Sequence, residues 1–144
     1  MSGETTEDPE CNPVVAAIVT SERGVLVGKR TDGRPPWTFI AGVIEFGESS
    51  ADAAIREVRE ETGLVVTAAE REIGRRVHPE TGRTMIYVAC TPAGSTLGAI
   101  VGDEDELSEV RWVSADEANE LLPGMYEPVR NHIRTELAQH VPMD

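Results

Sequence analysis

Between Gly42 and Leu64 the chain carries its most constraining stretch, GVIEFGESSADAAIREVREETGL. Ser49 or Ser50 can cap a helix, because a side-chain oxygen ahead of the first turn accepts one of the orphan backbone N–H groups there. Ala51, Ala54, Ile55 and Val58 then recur on one stripe at helical spacing, and Gly63 accepts the left-handed backbone that ends many helices. These signals predict a helix from about Ser50 to Thr62. At about 100° per residue, Glu57, Glu60 and Glu61 fall together and are expected on the side away from the apolar stripe. Like charges three and four residues apart mildly destabilise an isolated helix, so the run REVREE calls for a compensating cation. A hard divalent ion, Mg²⁺ or Mn²⁺, suits carboxylate and carbonyl oxygens and shares its shell with phosphates and water. A solvated acidic face would produce the same local run, and the residues around it decide between the two.

Gly42, Glu48, Arg56, Glu57, Val58, Glu60, Glu61, Gly63 and Leu64 fill one pattern without exception: glycine, five residues, Glu, seven residues, then Arg-Glu-apolar-any-Glu-Glu-any-Gly-apolar. Composition alone would yield that match on the order of once in 10⁵ trials. On these residues the sequence resembles the Nudix hydrolase family, and with the flanking strands, the acidic loop and the final helices the resemblance runs from about Asn12 to Gln139. It implies an α/β fold, a Nudix-type α/β/α sandwich with a mixed sheet, that hydrolyses a nucleoside diphosphate linked to another moiety with Mg²⁺ or Mn²⁺. By position, Glu57, Glu60 and Glu61 would form the set of metal ligands and catalytic base, with the carbonyl of Gly42 as a further ligand. Which glutamate is the base stays open. Arg56 would orient a neighbouring glutamate and Glu48 would brace the loop. Glu104, in the later stretch GDEDE, is the candidate for an additional metal ligand, although a solvated acidic loop explains that run equally well. One departure stands out: Ile40, Ala41 and Gly42 occupy the place where many members carry Pro-Gly-Gly, and only the last glycine is retained.

The rest of the chain bounds this reading. Its 144 residues suit one domain, expected over 13–144 behind a loose acidic tail at 1–12. A formal net charge of −13 argues against wrapping a nucleic acid polymer, whose affinity comes largely from Lys and Arg. No apolar run approaches the roughly 20 residues that span a bilayer, and the first residues lack the basic and apolar parts of a secretory signal, so a cytoplasmic protein off the membrane is expected. Cys11 and Cys90 have no zinc-site spacing and read as reduced thiols.

Strands are expected as a hairpin of Val14 to Val19 with Val25 to Arg30, then Trp37 to Ile44, Leu64 to Ala69, Ile73 to Val77, Thr84 to Thr91 and Val110 to Val113. Two later helices are expected over Ala115 to Leu122 and Glu127 to Ala138. Substrate contacts are sought on the cations Lys29, Arg30 and Arg34, with Arg30 foremost for a phosphate. Trp37 either stacks on a base or covers the sheet, whereas Trp112 reads as core. Arg75, Arg76, His78 and Arg83 surround the turn HPETGR, where they could meet the distal part of a substrate or act from the second subunit of a homodimer. A nucleoside triphosphate and an ADP-ribose-like compound both remain open as substrates. So does a domain that binds nucleotides without cleaving them, while isoprenoid diphosphate isomerisation would need a catalytic cysteine that neither Cys11 nor Cys90 is placed to supply.

Overall fold

The computed structural model describes residues 12–33, 36–79, 81–94, 102 and 106–139. Its organising strand is β1, Val14–Ser21, buried along nearly its whole length. A strand covered on both faces reads as a continuous apolar run, which is what VVAAIV is. One edge of β1 pairs in parallel with β7, Thr84–Pro92, from Val14 opposite Met85 to Val19 opposite Cys90. Its antiparallel partners are β4, Ile40–Val43, through Val14 to Ala17, and then β2, Gly24–Arg30, at Thr20 and Ser21. The expected hairpin is therefore present only at its tip. Gly24 follows the turn with φ 123°, and a side chain there would run into the backbone carbonyl of Val113.

Trp37 to Ile44 is two strands rather than one. β3, Trp37–Thr38, pairs with Gly28 and Lys29 of β2, and the chain changes partner at Phe39 before β4 joins β1. Periodicity registers an extended run but not a change of partner. β5, Val66–Ala68, and β6, Gly74–Val77, both lie antiparallel to β7. β8, Leu107–Val113, runs along β2 and begins three residues before the predicted Val110. The sheet is mixed, and residues 95–101 and 103–105, between β7 and β8, lie outside the described residues.

Helix α1 spans Ser50–Thr62 as predicted. The Ser49 side chain accepts a hydrogen bond from the amide of Asp52, and Gly63 at φ 76° ends the helix by donating its N–H to the carbonyl of Arg59. Alternation along β1 divides the core. Val15, Ala17 and Val19 face Ala53, Ala54 and Val58 of α1, and Trp112 packs partly buried against this cluster. Ala16 and Ile18 face Val129 and Ile133 of α3, Glu127–Ala138, and Ala118 of α2, Ala115–Leu121. Helices on both faces of a mixed sheet make three layers, with each fully buried Val, Leu or Ile contributing about 1.5–3 kcal/mol. Among the described residues no helix is long and apolar enough to cross a membrane.

Candidate active site

The acidic face of α1 differs from its sequence reading. Glu57 and Glu61 do not point away from the packing face; they belong to it, at 9% and 6% exposure, beside Ala53, Ala54, Val58 and Thr62. Ala51 and Ile55, expected at the centre of the apolar stripe, are half-buried. Ala53 explains the shift: the helix rolls onto its small side chains, which carries Glu57 and Glu61 down toward the sheet. Glu60 alone turns outward, its side chain 58% exposed.

Room for Glu57 comes from Gly42 in β4. A Cβ on Gly42 would collide with the Glu57 carboxyl group, so any larger residue at this strand position must displace that carboxylate. Gly42 is thus brought onto the helix face, as the box spacing required.

Arg56 organises the carboxylates around it. Its Nε and one Nη donate to both oxygens of Glu48 at 2.7 and 2.9 Å, the same Nη donates to the carbonyl of Val43 at 3.0 Å, and the other reaches Glu57 at 2.9 Å and Glu60 at 3.3 Å. Glu48 in turn accepts the amide of Glu45 at 3.0 Å, which closes the loop ahead of α1. The Arg56 guanidinium holds the Glu48 carboxyl below its ordinary range, and the surrounding carboxylates raise the pKa of Arg56 itself. Part of the positive charge that the glutamate run required is therefore supplied by the chain. As the side chains stand, no three carboxylate, imidazole or thiol groups among the described residues converge on one point.

Glu104 lies outside the described residues, and what can be described are Gly102 and Glu106 on either side of it. The amide of Gly102 donates to the carbonyl of Glu61 at 2.7 Å, and a side chain at Gly102 would strike the carbonyl of Glu60. The carbonyl of Glu106 accepts the amide of Thr31 at 3.0 Å. Gly102 was missed in the sequence, although a glycine opening an acidic run is the signal of a close backbone approach.

Arg30 ends β2, where its fork grips Asp32 at 2.6 and 2.9 Å. That hydrogen bond leads, and the charges of Asp32, Glu106 and Glu61 add to it, in raising the Arg30 pKa. Arg30 thus stands within electrostatic reach of the glutamate helix, already holding an anion. Arg34 lies outside the described residues.

Trp37 occupies a different place. It lines a cleft of about 330 Å³ with Phe39, Ala41, Arg76, Tyr87 and Tyr126, on the α3 side of the sheet. Arg111 covers the Trp37 ring, its Cζ 4.9 Å from the centroid. Ala41 and Gly42 are consecutive in β4, so the cleft wall and the Glu57 carboxylate lie on opposite faces of one strand. His78 also lines the cleft and holds its turn, donating its amide to Arg83 and accepting that of Gly82. Arg83 donates to the carbonyl of Asn12 at 2.7 Å, tying the hairpin to the start of the described chain.

Comparison with known proteins agrees with this fold. The NUDIX domain family matches residues 12–135. The chain is 29% identical over 123 residues to a MutT-like protein of Streptomyces ambofaciens, covering 85% of this chain and 77% of that protein. It is 33% identical over 132 residues to the NAD-capped RNA hydrolase NudC of Pseudomonas aeruginosa, covering 91% of this chain but only 46% of that protein, and so spans about half the length of this relative. In fold it resembles the C. elegans Ap4A hydrolase of a binary complex, with a TM-score of 0.72 at 18% identity over 88% of this chain and 98% of that one. A signature intact from Gly42 to Leu64, a three-layer fold and a family match over most of the sequence lead to one conclusion: the chain belongs to the Nudix family of pyrophosphohydrolases.

Proposed function

We propose that this chain hydrolyses a diphosphate bond in a nucleoside diphosphate derivative, a nucleoside triphosphate or an ADP-ribose-like compound, with Mg²⁺ or Mn²⁺. The observation that carries the reading is the packing of Glu57 against Gly42 under the grip of Arg56, with Glu60 and Glu61 on the following turn. Burying a carboxylate such as Glu57 on a helix face costs free energy unless a cation compensates, and Glu57 shares Arg56 with Glu48, Glu60 and, at longer range, Glu45. This donor set fits a hard divalent ion: Glu57, Glu60 and Glu61 would hold it, with Gly42 leaving room at the strand and Glu104 as an additional candidate. When bound, such an ion neutralises charge on phosphoryl oxygens and lowers the pKa of water.

The chain's own residues supply the rest. Arg56 fixes Glu57 in place without touching substrate, and Glu48 fixes Arg56. Glu60 or Glu61 accepts the proton of the attacking water, an effect worth about 10²–10⁴ in rate. Arg30 exchanges Asp32 for phosphate oxygens, for which its planar fork is suited. The cleft bearing Trp37 receives the nucleoside across β4, which among the described strands pairs with β1 alone and so leaves an edge over which one ligand can reach both faces; the cleft is concave, mainly apolar and aromatic, with few polar groups. A small nucleotide derivative, rather than a nucleic acid polymer, suits the net charge of −13. The names of the relatives, an NAD-capped RNA hydrolase and an Ap4A hydrolase, likewise describe nucleotide derivatives.

The test is a panel of nucleoside triphosphates, ADP-ribose and nucleotide sugars incubated with each metal and scored for products. Pyrophosphate with a nucleoside monophosphate from a triphosphate, or AMP with ribose phosphate from ADP-ribose, is expected. Tight nucleotide binding with no product from any compound would overturn the reading in favour of a binding domain.

A further inference from the structure

Within the cleft, β6 alternates so that Gly74 and Arg76 are half-buried while Arg75 and Val77 are exposed. Gly74 stands opposite Tyr87 in β7, and a Cβ added to it would lie 3.1 Å from the Tyr126 ring. The missing side chain admits Tyr126, whose ring stacks on Tyr87 with centroids 5.1 Å apart and whose hydroxyl donates to the Arg75 carbonyl at 3.0 Å. Arg76 lies over the Tyr126 ring, its Cζ 5.2 Å from the centroid. Its Nε donates to the Tyr87 hydroxyl at 3.2 Å and one Nη reaches the Gly124 carbonyl at 3.4 Å.

Arg30, Arg56, Arg75, Arg111 and Arg130 all pair with carboxylates, whereas Arg76 makes no ion pair among the described residues. Aromatic and loop contacts hold its fork at the wall of an apolar cleft, in a chain of net charge −13. A guanidinium has five N–H donors and no acceptor, so ring stacking and two hydrogen bonds leave donors for a ligand.

We propose that Arg76 determines base specificity, reading the edge of a purine that presents O6 and N7 acceptors side by side, in preference to adenine. This rests on the reading of the cleft as the nucleoside site. Arginine pairs in bidentate fashion with O6 and N7, whereas adenine offers the N7 acceptor beside an N6 donor that a guanidinium cannot accept. Tyr126, Tyr87, Phe39 and Met85 supply the apolar and aromatic surface on which any base stacks.

Titration calorimetry of the full chain with GMP, IMP and AMP tests this. GMP and IMP, which share the O6 and N7 pair, should bind alike and more tightly than AMP by about fivefold to a hundredfold. Arg76→Lys keeps the charge and loses the fork, and should bring the three affinities together while circular dichroism shows the fold retained. Arg76→Gln, whose amide matches adenine, should shift the preference toward AMP. Equal binding by the wild type, or a preference that survives Arg76→Lys, would overturn the proposal. The two readings separate cleanly: hydrolysis blind to the base overturns this proposal alone, and base preference without turnover of any nucleotide overturns the hydrolase reading alone.

Discussion

The Glu57 carboxyl group fills the space that a side chain on Gly42 would take. Gly42 sits in regular β4 opposite Val15 and is not among the glycines with positive φ, so glycine there serves closeness and not a turn. Gly42→Ala must push Glu57 or the whole of α1 away from the sheet. Overpacking of this kind costs about 1–3 kcal/mol. A lowered melting temperature and a turnover loss of more than about tenfold are expected, given the sensitivity of catalysis to small displacements. Wild-type stability and rate in the alanine variant would show that the contact is slack.

Arg56→Lys should separate positioning from binding. Lysine keeps one charge but cannot span Glu48, Glu57, Glu60 and the Val43 carbonyl together. Since Arg56 is read as acting through the glutamates, kcat should fall at least about tenfold with KM little changed. A rise in KM at constant kcat would instead place Arg56 on the substrate.

The Glu48 brace carries a pH dependence of definite sign. Arg56 lowers the Glu48 pKa in the folded state, so the pair contributes stability that is present above the unfolded value of about 4.3 and is lost as pH falls through the folded one. Urea titrations from pH 6 to pH 3 should show the wild type losing stability, with a shallower loss in Glu48→Gln. The variant should be less stable by about 1.5–3 kcal/mol at pH 6, as expected for hydrogen bonds to a charged group, and the two should converge in acid.

Local features of the fold were legible in the sequence, and long-range ones were not. The bounds of α1 follow from Ser49, Gly63 and the spacing between them, all within one segment. Cross-strand choices lack such a signal: nothing near Phe39 announces that the chain leaves β2 for β1, and nothing in TMIYVACT that β7 runs parallel to β1. The site divides the same way. Arg56, Glu48 and Glu57 are named by the box, but the burial of Glu57 and Glu61 depends on how far the helix rolls onto Ala53. Asp32 lies two residues from Arg30, yet a carboxylate near an arginine in a polar turn is too common to mark a partner. Tyr126 required the tertiary fold, because its place is set by the absence of a side chain at Gly74 more than fifty residues earlier.

The Cys90 thiol is buried, and burial pushes its pKa up to about 12. Iodoacetamide at pH 8 should leave the Cys90 peptide unmodified in the folded protein and alkylate it in urea, as read by mass spectrometry. Rapid modification of Cys90 in the native chain would contradict the packing of β7 against β1.

The account turns on the glutamates of α1 acting on a diphosphate. The most direct measurement is the rate of metal-dependent nucleotide hydrolysis by Glu61→Gln beside the wild type, with circular dichroism and melting confirming an intact fold. A carboxamide keeps the shape and loses the charge, so the rate should fall about 10²–10⁴-fold, and added Mg²⁺ or Mn²⁺ should not restore it. An undiminished rate in the folded variant would contradict the placement of the chemistry on this helix.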